Sequence, residues 1–453
     1  MINKNIELNN VFAITLLVIG ITLVNTIPLQ NTIALRNVCL YLGAFIGFYF
    51  IHIELQKNKL GILIVPITLF LTIIWVFLLY LYFPTLKNLQ IAELKSLWPR
   101  SFAAIIFGTG LAVVLIQKDV LARIFFANYF VLAIVNIIFC IIEIYYKKTI
   151  PVIDYFGIFI TKAPAAYFLI FPFFTAVGYL DRIITDSISL RKNLHKIMLA
   201  FALIILCIFS QYLMQSLNGL LTIFLILFLQ SFLLFTKRTN LKTRDRFLLL
   251  LGGLFIIISF SYIYSAQNDR LKNKLINIIS DAQIGLQIDA YPQWRYDSRD
   301  SGLPIIVDGR VINGSTFYRV ASIKKGIEII VNNPLGAGFT FLPYGYYLKN
   351  EYPNARADHT HSGWIDYTLG VGVPGIILML VAISYGLYNC ITNRLKDISN
   401  PMHEIANAIS MWALLGLTIL WMILEVSERE YIEYLFFSIC LFSSIAYLIH
   451  EKK

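Results

Sequence analysis

Two stretches of this sequence carry side chains suited to chemistry on an anionic substrate. In the first, Asp358, His359 and His361 stand together in the run D-H-T-H-S-G-W, with Arg356 just upstream. In the second, Arg319 opens the run RVASIKKGIEIIVNNPLGAGF. Histidine changes protonation near neutral pH and is the usual side chain for taking a proton from a hydroxyl. Arginine stays charged at any working pH, and its planar fork of donors matches phosphate oxygens. By residue type alone, His361 and Arg319, with Arg356, His359, Arg295 and Arg310, are the candidates for moving a proton and for holding an anion. Each also has a plainer reading, as a hydrogen-bonded histidine, a headgroup-bound arginine or a solvated loop charge. A zinc site on His359 and His361 would need further ligands at recognisable spacing. None is evident, nor is a loop Asp-x-Asp pair, so neither metal nor cofactor is expected.

These residues must be positioned by membrane helices. Of 453 residues, 58% are hydrophobic and only 14% charged, against roughly a quarter charged in soluble domains. At about 20 apolar residues per span, the chain can supply roughly ten to thirteen. That excludes a secreted domain, a disordered chain and a single-anchor enzyme. Apolar runs place spans at roughly 11–28, 37–54, 61–83, 101–117, 124–146 and 164–180, then 197–215, 218–236, 247–265, 364–389, 404–425 and 430–449. The fold class expected is all-α, a polytopic protein of about twelve transmembrane helices, with a partly helical external cap between the ninth and tenth. The parts are 1–265 with helices one to nine, 266–363 as the cap, and 364–453 with the last three helices.

Basic residues in short connections stay on the cytoplasmic side. Lys57, Lys59, Lys118, Arg123, Arg182, Lys237, Arg238 and Arg394 then set both termini inside. The first helix reads as a retained signal anchor. The net charge of +11 is thus a matter of topology, and its scatter among short loops argues against a nucleic-acid partner. Cys39, Cys140, Cys207, Cys390 and Cys440 all fall in expected spans, so no disulfide framework is indicated outside. Of six histidines, only His359 and His361 are external. Their loop is too long for a mere connector. It should fold, with a helix near 315–332 stopped by Pro334, Gly336 and Gly338, and with Trp294, Tyr344, Tyr346, Tyr347, Tyr352 and Trp364 available for sugar stacking or an interfacial belt.

The run from Arg319, an amphipathic helix ending in Pro-Leu-Gly-x-Gly, and the run HTHSGWIDYTLGVGVPG from His359 resemble the two most recognisable segments of the O-antigen ligase and polymerase superfamily of bacterial membrane glycosyltransferases. The His361-to-Gly372 spacing is similar to the family's, and Ile323 stands where its Arg-x-x-x-Leu element has leucine. The likeness covers topology throughout and specific motifs over only about 60 residues, from Arg319 to Gly375. One element departs: where the family carries Ser-Arg-Gly between the seventh and eighth helices, this chain reads Gln215, Ser216, Leu217, Asn218, Gly219. A replacement cation must then come from Arg295, Arg299, Arg310, Arg356 or Arg36.

What the resemblance implies is glycan transfer at the periplasmic side of the inner membrane. The donor is a glycan on undecaprenyl diphosphate, the acceptor lipid A core oligosaccharide in lipopolysaccharide biosynthesis. His361 would be the base and Arg319 the diphosphate ligand, in a metal-independent, inverting reaction. The alternative is a polymerase whose acceptor is a second lipid-linked glycan; a protein O-oligosaccharyltransferase or a transporter ranks lower. A proton-coupled transporter needs charged residues through mid-membrane and internal repeats, and neither is evident.

Overall fold

In lipid every backbone polar group must be satisfied within its own segment, so long apolar runs become helices. The computed structural model describes residues 2–29, 31–147, 159, 162–186, 193–214, 216–236, 269–296, 302–306, 309–395, 398–424 and 429–451. The helices are α1 (Ile2–Thr26), α2 (Ile33–Gln56), α3 (Ile64–Tyr82), α4 (Lys87–Lys95), α5 (Leu97–Gln117) and α6 (Asp119–Lys147). Next come α7 (Lys162–Phe168), α8 (Phe171–Asp186), α9 (Leu194–Leu213) and α10 (Leu217–Thr236). The cap contributes α11 (Asp269–Gly285), α12 (Gly314–Asn332) and α13 (Pro343–Glu351), and α14 (Gly363–Arg394), α15 (Pro401–Ile423) and α16 (Arg429–Glu451) complete the chain. Among the described residues ten helical segments are long and apolar enough to cross a membrane, and Asn218–Leu233 is a shorter apolar helix. The protein is an all-α polytopic membrane protein. The span expected at 247–265 lies outside the described residues, as does Arg299.

The expected span at 164–180 is built of two helices, each with a proline in its first turn: Pro164 in α7 and Pro172 in α8. There a missing N–H costs nothing. Helix α4 is short and polar and leads into α5 within one candidate span, Lys87–Gln117, whereas α11 and α13 have no long apolar run.

Helix α16 is the axis of the bundle. Tyr431 through Ile449 are buried without interruption, so this helix is enclosed by its neighbours on every side. Small residues let neighbours approach it: a Cβ on Gly108 of α5 would lie 2.4 Å from the Phe437 carbonyl oxygen. At the cap end, Arg36 of α2 pairs with Glu430 (2.7 Å) and Arg100 of α5 with Glu433 (2.9 Å), tying both helices to the start of α16.

The two glycine-rich motifs interlock. Pro374 has no N–H, so the Gly370 carbonyl loses its helical donor, and α14 breaks at Gly372 (φ 74°, ψ 177°). The loop after α12 fills the break. Ala337 N–H donates to the Leu369 carbonyl (2.9 Å), Gly338 N–H to that of Gly370 (2.8 Å), and Val373 N–H to that of Pro334 (2.8 Å). The Trp75 indole N–H of α3 donates to the Val371 carbonyl (2.7 Å). From below, α4 holds the same loop: Gln90 Nε2 donates to the Ala337 carbonyl (3.0 Å), and Glu93 accepts from Thr340 N–H and Phe341 N–H, both at 2.8 Å. The cap helix α12 is thus anchored into a transmembrane helix.

The backbone angles of Gly372 are open essentially to glycine alone, and a Cβ there would meet the Leu335 carbonyl oxygen at 2.1 Å. Gly372→Ala is therefore expected to destabilise the protein by about 3 kcal/mol or more, from strain plus lost backbone bonds. A large drop in the thermal unfolding midpoint of the detergent-solubilised variant checks this.

Candidate functional site

The segment 358–366 is built as a rigid turn at the head of α14. Ser362 is the N-cap in extended conformation, and Gly363 N–H donates to the Leu424 carbonyl (2.8 Å) at the end of α15. Asp366, in the first turn, reaches back: its Oδ1 accepts from Thr360 N–H (2.9 Å) and from the Thr360 hydroxyl (2.8 Å). Thr360 Oγ1 in turn accepts from Ser362 N–H (3.3 Å). Thr360 and Asp366 are buried, while His361 between them is half-buried. His361 adopts φ +61°, a left-handed conformation that costs a residue with a Cβ about 1 kcal/mol or more. The bonds on either side hold it there. Its ring meets that of His359 edge-to-face, with centroids 5.3 Å apart.

Helix α12 starts at Asn313, whose side chain accepts from Thr316 N–H (3.3 Å). Arg319 follows in the second turn, and its Nη1 donates to Asn218 Oδ1 (3.3 Å) at the head of α10. Gly326 lies two turns further along the same helical face. A Cβ there would stand 2.8 Å from Thr360 Cγ2 and 2.7 Å from Ile365 Cγ2. The face of α12 that carries Arg319 is therefore the face packed against the histidine turn. Arg319 also reaches into the stretch where the Ser-Arg-Gly arginine is missing.

The remaining cations have other surroundings. Arg310 donates to Asp281 Oδ1 (2.8 Å) and Ser280 Oγ (3.0 Å), and Asp281 Oδ2 accepts from Asn313 N–H (3.1 Å), so Arg310 ties α11 to the start of α12. The Arg295 guanidinium lies 3.8 Å from the Tyr352 ring centroid, and the Arg295 carbonyl accepts from Arg356 N–H (2.8 Å). Arg356 has an exposed side chain on the same connection as the histidines. Arg36, another replacement candidate, is paired with Glu430.

Two of the aromatic candidates belong to the interior. Trp294 and Tyr344 are fully buried in the cap core with Ile312, Phe317, Ile329 and Leu348, and the Trp294 indole N–H donates to the Ile288 carbonyl (2.9 Å). Trp364 donates to the Thr418 carbonyl (2.9 Å) between helices. Tyr346, Tyr347 and Tyr352 are half-buried at the cap surface; burial and the neighbouring Tyr346 push the Tyr347 hydroxyl up to about 12. The cap is clamped by Lys325 and Glu351 (2.7 Å). Burial opposes both charges, but the hydrogen bond between them prevails, holding Glu351 below the usual carboxylate range and Lys325 above the usual ammonium one.

Thr360, Asp366, Gln90 and Glu93 are structural members of the site that sequence reasoning missed as such. A lone carboxylate in the first turn of an apolar helix, four residues after a serine, was the available signal for Asp366. Asp366→Ala removes the acceptor of both Thr360 bonds, and activity is expected to fall about tenfold or more, since small displacements of a reacting group cost that much. Asp366→Asn keeps an acceptor oxygen and should recover most of the loss; comparing turnover of the two variants at equal membrane levels checks it.

A helical bundle with a folded cap, a cap arginine and a histidine turn defines a class: a polytopic membrane protein with a candidate functional site at one end. Residues 198–380 match the O-antigen ligase family model, and this match supports placing the chain in the O-antigen ligase-like superfamily. The matched segment runs from α9 into α14 and so includes Asn218, Arg319, His361 and Gly372. It supports O-antigen ligase or polymerase-type activity in general, with lipid-linked glycan substrates and a membrane environment. No curated protein matches the chain.

Proposed function

We propose that this protein is an O-antigen ligase-like glycosyltransferase that moves a glycan from undecaprenyl diphosphate to lipid A core oligosaccharide at the periplasmic face of the inner membrane. The observation that carries this reading is the packing of the Arg319 face of α12 on the His361 turn, within the segment that matches the O-antigen ligase family. His361 accepts the proton of the acceptor hydroxyl as its oxygen attacks the anomeric carbon. The bond to the diphosphate breaks on the opposite face, its electron pair leaving with the phosphate oxygen, so the anomeric centre inverts. Arg319 neutralises the charge that grows on the diphosphate, the electrostatic task that matters most when the leaving group is already good. Arg356 is the second cation of this reading, with His359 orienting the acceptor. Arg295 and Arg310 contribute by holding the loop and the start of α12 through the contacts described above. Among the described residues no three His, Cys, Asp or Glu side chains are grouped to hold a metal ion; the reaction is proposed as metal-independent, and chelator should leave turnover unchanged.

The test is reconstitution with undecaprenyl-diphosphate-linked glycan and either of two acceptors. Product on lipid A core supports the ligase. Lengthened lipid-linked chains would instead make the protein a polymerase with the same site chemistry.

A further inference from the structure

A second site lies at the end of the bundle opposite the histidine turn, where α5 ends and α6 begins. A cavity of about 700 Å³ opens there between α6 and α9, floored by α8 and α15. Its walls are apolar: Phe126, Phe130, Leu199, Leu203, Ile405 and Ile409. Among the described residues three cations, Arg123, Lys196 and Arg182, also line it, and no carboxylate does. Arg182 is paired with Glu404. Arg123 and Lys196 are exposed and, among the described residues, form no ion pair or hydrogen bond, although Lys57, Lys59, Lys118 and Arg394 at the same end are all bonded to side chains. Ile124, Met198 and Leu199 beside them are exposed apolar side chains of the kind that face lipid. Apolar walls with two exposed cations at the mouth match one ligand chemistry: acyl chain inside, phosphate outside. We propose that this cavity binds an anionic phospholipid, with one acyl chain along the Phe126 and Leu203 walls and the phosphate at Arg123 and Lys196. A zwitterionic headgroup brings its own ammonium to the mouth and fits less well, and free phosphate leaves the apolar walls unused.

The experiment uses the full chain in detergent, exchanged into bilayers of phosphatidylethanolamine with phosphatidylglycerol, then delipidated and read by native mass spectrometry. The wild-type protein is expected to retain phosphatidylglycerol over phosphatidylethanolamine. The double variant Arg123→Gln, Lys196→Gln should lose that preference by about 30-fold, the factor two interfacial cations supply. Leu203→Trp, which fills the cavity and keeps both charges, should also lose the lipid. Equal retention of the two lipids by wild type overturns the proposal. So does unchanged retention by the double variant, or displacement of the lipid by inorganic phosphate from wild type. An unchanged gel-filtration profile separates lost binding from lost fold.

Discussion

Replacing His361 with alanine is expected to lower glycan transfer by about 10²- to 10⁴-fold, the usual contribution of a positioned general base, while membrane level and folding stay intact. The turn does not depend on the imidazole: Asp366 and Thr360 hold the backbone with bonds of 2.8 and 2.9 Å that the substitution leaves alone. His361→Gly is the sharper form of the same test. Glycine takes φ +61° without the left-handed penalty, so this variant should be at least as stable as the parent by thermal unfolding and equally inactive. Full activity in either variant would sink the assignment of the base. Equal loss of folding in both would instead make the histidine a structural residue.

Arg319→Ala is expected to cost about 10²- to 10³-fold, comparable to removing a donor from an oxyanion site. Charge on the diphosphate rises as the bond breaks, so the loss should fall on kcat more than on KM. Arg319→Lys keeps the charge but not the planar fork and should recover only part of the activity. Asn218→Ala removes the side-chain acceptor at 3.3 Å and leaves the guanidinium in place, so its effect should be smaller than that of Arg319→Ala. Steady-state kinetics of the three variants against donor concentration check the ordering; an Arg319→Ala enzyme with unchanged kcat would remove Arg319 from the chemistry.

The transmembrane helices were legible because each needs a long apolar run, and the cap helix because Pro334 and two glycines stop it where the structure does, at Asn332. Short helices were not: α4 carries Gln90 and Glu93 in a nine-residue polar segment, and its importance lies in what it touches, the loop at 337–341. The glycines of Pro-Leu-Gly-x-Gly and Gly-x-Pro-Gly were visible as motifs, yet their docking on one another depends on a proline freeing the Gly370 carbonyl. Charged side chains were the least legible. Arg310 and Arg356 look alike in sequence, but Asp281 lies at 2.8 Å from one and the other is exposed; long-range partners decide this. Trp294 and Tyr344 read as sugar-stacking candidates for the same reason, because burial in a small cap core has no local signature.

The most direct test follows the fate of the donor. Proteoliposomes holding the protein, undecaprenyl-diphosphate-linked glycan and lipid A core oligosaccharide are sampled over time for free undecaprenyl diphosphate and for the anomeric configuration of the new linkage. Stoichiometric release of undecaprenyl diphosphate with an inverted linkage, lost in His361→Gly, is the expected result. Intact donor moved across the bilayer with no bond cleaved, or transfer that persists in His361→Gly, would contradict it.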